Sequence, residues 1–213
     1  MKTTKYVISM MALIKIKPHP SHATIYLLSD VTNLKNSMQR LQEMLEPIIL
    51  TKEGITLAGH RRSKAALELG WTHVPVRIVD IPEEDQIIYL IASNSKREKT
   101  WGERVAEIKA IYSYADANGK SALTKFLGNA TPGITTRQLV AEVAGICEVY
   151  VSRLQKIAET DPHYIVMLDT EEVSFNEAFK ACMKGKPPVP KTKATINPEK
   201  RFFCKDCPNK LKK

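Results

Sequence analysis

The chain has 213 residues, 43% of them hydrophobic and 26% charged, enough for one large or two small globular domains with cores of their own. No run approaches the roughly 18 apolar residues of a spanning helix, which excludes a helical membrane span, and four cysteines in a chain this long make no disulfide framework and fit a reducing cytoplasm. The formal charge of +9 is concentrated at one end: residues 184–213 hold ten Lys and Arg against Glu199 and Asp206, while residues 1–183 hold 22 basic and 21 acidic side chains.

The start, MKTTKYVISMMALIKIKPHP, is basic and then apolar. Lys15 and Lys17 break the apolar run and no small-residue cleavage site follows, so residues 12–16 are expected to form a first β-strand rather than a leader. The loop PHPSHATIY comes next, and its His19 and His22 read as loop residues without a third metal ligand. In SDVTNLKNSMQRLQEM, Val31, Leu34, Met38, Leu41 and Leu45 share one face at helical spacing, with Ser29 or Asp30 as cap. EPIILTKEGITLAG reads as two strands around a Lys52-Glu53-Gly54 turn. RRSKAALELG reads as a helix closed by Gly70, and VPVRIVDI as a strand. Residues 12–92 are therefore expected to form an α+β domain.

From Pro82 onward the pattern is helical, with a break at Ser93–Thr100 and loops at Gly119, Gly128–Gly133 and Asp161. Glu83, Glu84 and Asp85 directly after Pro82 suit a helix start, where the dipole favours negative charge. A second, all-α domain is expected over residues 100–184. Beyond it, KPPVPKTKATINPEK has neither periodicity nor apolar mass, and residues 185–213 read as a disordered basic linker and tail. Such a tail gives salt-sensitive, sequence-blind attraction to phosphate.

The sharpest motif is QLVAEVAGICEVYVSRLQKI, residues 138–157. Ala141 is small where two helices would touch, and Gly145 tolerates the positive φ of a tight turn. Val140, Ala144, Ile146, Val151 and Leu154 fill the angle between the helices. This is the spacing of a DNA-binding helix-turn-helix. The second helix would present Glu148, Val149, Tyr150, Ser152, Arg153 and Lys156 outward, with Arg153 able to take guanine bidentately or to clamp a phosphate. Thr135, Thr136 and Arg137 stand before the first helix, where free N–H groups and a basic side chain suit a phosphate. The residues assigned to DNA are Thr135, Thr136, Arg137, Val149, Tyr150, Ser152, Arg153 and Lys156.

An earlier stretch, GHRRSKAALELG from Gly59, puts a glycine and two arginines at a helix start, the ingredients of an anion cradle. Together with SMQRLQEMLEPIIL, VPVRIVD, SNSKREKT and VYVSRL, it resembles the ParB family of partition proteins over roughly residues 12–183. The first domain is similar to the ParB/sulfiredoxin-like fold. The resemblance implies a Gly-x-x-Arg box that holds the phosphates of a nucleoside triphosphate, CTP before ATP, with Mg²⁺. It places Gly59, His60, Arg61, Arg62 and Ala65 in that box, and Asn94 and Arg97 in a second one. It further implies double-stranded DNA as partner, a homodimer, a partition ATPase alongside, and a bacterial cytoplasm with a plasmid or phage setting. The role would be DNA partition or transcriptional regulation.

Three positions depart from the family pattern. Glu43 stands where a glycine is frequent, His60 where a glutamate is frequent, and Ser93 where an acidic residue precedes the asparagine. Gly59 occupies the place of sulfiredoxin's cysteine, which excludes thiol repair chemistry. The competing class is an enzyme on the same fold, a nucleotide hydrolase or a nuclease, and the latter needs clustered metal-binding carboxylates. In the tail, Cys204-x-x-Cys207 supplies half of a zinc site.

Overall fold

A computed structural model describes residues 7–27, 30–128 and 133–185. It divides into two compact units with the boundary between Asn94 and Ser95. The first is α+β and the second is helical, as the sequence pattern requires.

The first unit is built on five strands: β1 (Ile8–Ala12), β2 (Lys17–Pro18), β3 (Ile48–Leu50), β4 (Ile55–Ala58) and β5 (His73–Ile78). They lie in the order β1-β5-β3-β4-β2. β1 runs antiparallel to β5 from Ile8 opposite Arg77 to Ala12 opposite His73, and β3 runs parallel to β5. Four helices accompany them: α1 (His22–Ile25), α2 (Thr32–Leu41), α3 (His60–Glu68) and α4 (Glu83–Ser93). Alternation in β3 and β5 sends Ile48, Leu50, Val74 and Val76 into one core, where they meet Val31 and Met38 of the α2 segment and Ala65 and Ala66 of α3. Two adjacent alanines let α3 lie close to the sheet, where any larger side chain would hold it off.

The first strand is not at residues 12–16. It lies four residues earlier, and Leu13–Lys15 form a 3₁₀ turn. The alternation of ALIKIK is misleading because Leu13 is buried while Ile14 is 94% exposed. The helix after it is also shorter than its apolar spacing suggests. Gln42 takes a left-handed conformation and ends α2, so Leu41 and Leu45 are exposed and Met44 fills the core instead. Asp30 does not cap α2: Val31 precedes the helix and no side chain caps it, while Asp30 accepts hydrogen bonds from the N–H and the hydroxyl of Thr32 (2.9 and 2.6 Å) in a turn one residue earlier; Ser29 lies outside the described residues.

The second unit holds six helices among the described residues: α5 (Trp101–Asn118), α6 (Lys120–Leu127), α7 (Thr136–Ala144), α8 (Glu148–Thr160), α9 (His163–Asp169) and α10 (Phe175–Lys184). Three start with reciprocal capping boxes: Thr100 with Glu103, Thr135 with Gln138, and Ser174 with Glu177. Ile108, Ile111, Leu139, Val140, Leu154, Ile157, Leu168 and Ala178 are all buried in this unit. No helix among the described residues is long and apolar enough to cross a membrane.

Candidate functional site

In the first unit the chemistry gathers where β4 passes into α3. Gly59 is the residue before the helix and has φ +99°. A Cβ there would stand 3.3 Å from Arg62 Nε and 3.3 Å from Ile48 Cα, so the position needs glycine for its backbone and for its space. No side chain caps α3, which leaves its first-turn N–H groups, those of His60, Arg61 and Arg62, directed at whatever anion approaches.

Both arginines are held by the protein. Arg61 Nη2 donates to the Asp30 carbonyl at 2.9 Å. Arg62 Nη1 donates to the carbonyls of Glu46 and Pro47 at 2.7 and 3.1 Å, and stands 3.1 Å from the Glu46 carboxylate. Burial lowers the Arg62 pKa, and Glu46 opposes the shift. Ala65, a residue of α3, is fully buried, so what its side chain contributes here is the seating of that helix on the sheet.

His60 belongs to a group that sequence spacing does not show. The His19 N–H donates to His60 Nε2 at 3.3 Å, and the His22 ring stacks on His60 with centroids 3.7 Å apart and planes at 17°. Desolvation, followed by the charges of His22 and His19, pushes the His60 pKa down to about 3. Burial lowers that of His19 as well. His60 is thus a neutral acceptor whose proton sits on Nδ1, as the hydrogen-bond network assigns it.

The second expected box separates into different roles. Asn94 caps α4 by donating from Nδ2 to the Leu90 carbonyl at 2.8 Å. Ser93 donates its hydroxyl to the Leu90 and Leu57 carbonyls at 2.8 and 3.3 Å, which ties the end of α4 to β4. Arg97 lies beyond the unit boundary, where Nη2 meets Glu103 Oε1 at 2.8 Å. Beside it, Lys99 and Glu107 form a fully buried pair at 2.6 Å.

The residues present fit triphosphate oxygens better than a protein-held metal ion. N–H groups and two guanidinium groups suit phosphate. No cluster of three His, Cys, Asp or Glu able to hold a metal exists among the described residues, and Ser93 offers no carboxylate. Glu83, Glu84 and Asp85 form the first turn of α4, as expected. Cys204 and Cys207 lie outside the described residues.

In the second unit, α7 and α8 are joined through Gly145, which has φ +68° and closely approaches Ser95, a Cβ there being 3.2 Å from the Ser95 Cβ. Ala141, Val140, Ala144, Val151 and Leu154 are buried and Ile146 is half-buried, as the spacing predicts. Thr135 is taken by the capping box, which leaves Thr136 and Arg137 in the first turn of α7. On α8, Val149 and Lys156 are exposed, and Ser152 donates its hydroxyl to the Val149 carbonyl at 3.1 Å.

Two side chains expected to face outward are placed otherwise. The Tyr150 ring stacks on Phe175 at 4.6 Å and on Trp101 at 6.4 Å, because α10 and the start of α5 cover that side of α8. The Arg153 guanidinium lies over the Phe179 ring, 5.1 Å from its centre. Glu148 stands 4.0 Å from Arg137, so its charge is partly offset.

Residues 3–95 match the family model of the ParB N-terminal domain. The probable chromosome-partitioning protein ParB of Borreliella burgdorferi is 25% identical over 138 residues, 63% of this chain and 46% of that relative, so the match spans less than half of the relative's length. The fold is similar to that of a pNOB8-like ParB-N domain, with TM-score 0.59 and 13% identity over 84% of this chain and 80% of that one. It is also similar to the C-terminally truncated ParB of Caulobacter crescentus complexed to the centromeric parS site, with TM-score 0.53 and 15% identity over 82% and 84% of the two chains. The first unit, with its glycine-headed α3 on a five-stranded mixed sheet, is thus the part of the chain that matches the model of the ParB N-terminal domain.

Proposed function

We propose that the chain is a ParB-type DNA-binding protein of partition or transcriptional control. In this reading the start of α3 takes the phosphates of a nucleoside triphosphate, and α7–α8 engage duplex DNA as a helix-turn-helix. The observation that carries it is the uncapped α3 start, where Gly59, Arg61 and Arg62 converge. The Caulobacter protein of the same fold is complexed to a DNA site, which supports the DNA half of the reading. Family resemblance favours CTP over ATP as the nucleotide, with Mg²⁺ held chiefly by the phosphates. A homodimer and a partner ATPase belong to the same resemblance.

In this mechanism the chain's residues bind and orient. The N–H groups of His60, Arg61 and Arg62 donate to phosphate oxygens, and Arg61 adds a charge-assisted hydrogen bond once it leaves the Asp30 carbonyl.

The test is calorimetric titration with CTP, ATP and GTP in Mg²⁺, using the unaltered chain and Arg61→Ala. Arg61 makes one hydrogen bond from an exposed position, so its loss leaves the fold intact. Binding of one nucleotide, weakened in the variant, supports the reading. Absence of heat with all three, while the chain still binds DNA, reduces the protein to a helix-turn-helix regulator.

A further inference from the structure

The chain places α6 between α5 and α7, and its sequence KSALTKFL contains two lysines, two hydroxyls and no carboxylate. Leu123 is fully buried, and the helix packs against both α5 and α7. At 3.6 residues per turn, Lys120, Ser121, Thr124, Lys125 and Gly128 fall within a sector of roughly 140° on the other side. There they line an open groove of about 580 Å³.

The donors on this face are unspent. Lys35, Lys52 and Lys99 each meet a carboxylate, but among the described residues neither Lys120 nor Lys125 does. Thr124 donates to the Lys120 carbonyl at 3.1 Å, so the groups left for a ligand are two ammonium groups and the Ser121 hydroxyl. An open groove with hydrated cations and no buried donor is a poor site for a small anion. It suits an extended polyanion, whose successive phosphates release counterions as each is neutralised. The neighbouring α7 carries Thr136 and Arg137 at its start, so two phosphate-seeking sets stand on helices that pack together.

We propose that α6 is a backbone clamp that holds the phosphodiester chain of the duplex DNA engaged by α7–α8. This rests on the DNA-binding reading above and adds an interaction that carries no sequence information.

The test is fluorescence anisotropy of the full chain with a short labelled duplex of arbitrary sequence, across a salt series. The expected result for Lys120→Gln/Lys125→Gln is a slope of log K against log salt shallower by about 1.8, since each phosphate left unneutralised removes about 0.9. Lys52→Gln, which removes one charge in the first unit, should leave the slope unchanged. A double variant with the slope of the unaltered chain overturns the clamp while leaving the DNA-binding reading standing. An equal change in Lys52→Gln also overturns it, because the effect is then one of net charge. No binding of the arbitrary duplex by the unaltered chain even at low salt overturns the clamp, whose contacts are independent of sequence.

Discussion

The Arg62 guanidinium lies across Gly59, with Nε and Nη2 at 3.3 and 3.4 Å from where a Cβ would sit. The glycine therefore serves the arginine first and an anion second. Its left-handed φ turns the chain from β4 into α3, and its missing side chain lets Arg62 reach the Glu46 and Pro47 carbonyls. Gly59→Ala should cost about 1–3 kcal/mol from backbone strain at a left-handed position. Urea unfolding measures it, and a loss below about 0.5 kcal/mol, the range of neutral surface changes, would mean that the turn relaxes freely.

Arg62→Ala is expected to lower stability as well as ligand binding, because it leaves two backbone carbonyls without donors. Glu46 is exposed and Pro47 half-buried, so water can replace the donor and each lost hydrogen bond costs about 0.5–1.5 kcal/mol. Comparison with Arg61→Ala separates the two effects. Arg61→Ala should change the unfolding midpoint little and the nucleotide affinity more, and the opposite ordering would place the ligand elsewhere.

The histidine group gives the first unit a pH dependence whose sign follows from the direction of the shift. His60 titrates near 3 when folded and near 6.5 when unfolded. Between these values the unfolded chain binds more protons, so stability rises with pH from about 3 to about 6.5 and falls on acidification. His60→Gln should flatten the dependence of the urea midpoint on pH between about 7 and about 5, relative to the unaltered chain. An unchanged slope would show that His60 titrates normally.

Arg153 is held over Phe179, so in the proposed DNA-binding role its placement is set by α10 as well as by α8. Phe179→Leu should loosen that placement and remove a cation–π interaction of about 0.5–1 kcal/mol. Arg153→Ala with Lys156→Ala should weaken specific DNA binding by roughly 1–3 kcal/mol for each base that is no longer read. Gel-shift titrations on specific and arbitrary duplexes distinguish the two, and equal affinity in variant and unaltered chain would remove α8 from the recognition role.

Much of this architecture is legible from local pattern. The turn at Thr51–Gly54, the helix His60–Glu68, and the α7–α8 pair each follow from signals a few residues apart. What is not legible depends on distant packing. The hydrogen bond from His19 to His60 joins residues 41 positions apart, and nothing in PHPSH announces it. Tyr150 reads as an outward residue until Trp101 and Phe175 stack beside it. Ile14 reads as a strand residue because alternation cannot tell a strand from a 3₁₀ turn with one buried position. Leu45 reads as helix core because nothing in the sequence signals the left-handed Gln42.

Glu46 is the residue through which the proposed cradle is most open to adjustment. Its carboxylate is 81% exposed and pairs at 3.1 Å with Arg62, one of the two arginines offered to phosphate. A pair so exposed adds at most about 1 kcal/mol to stability, so Glu46→Gln should leave unfolding nearly unchanged. The backbone carbonyls that hold Arg62 remain in that variant. What changes is the charge an incoming triphosphate meets. Removing one negative charge beside the arginine should tighten nucleotide binding about fivefold, or about 1 kcal/mol. Calorimetry on Glu46→Gln beside the unaltered chain measures this directly. Equal affinities would mean that Arg62 stays bound to its carbonyls and that the N–H groups with Arg61 hold the phosphates alone.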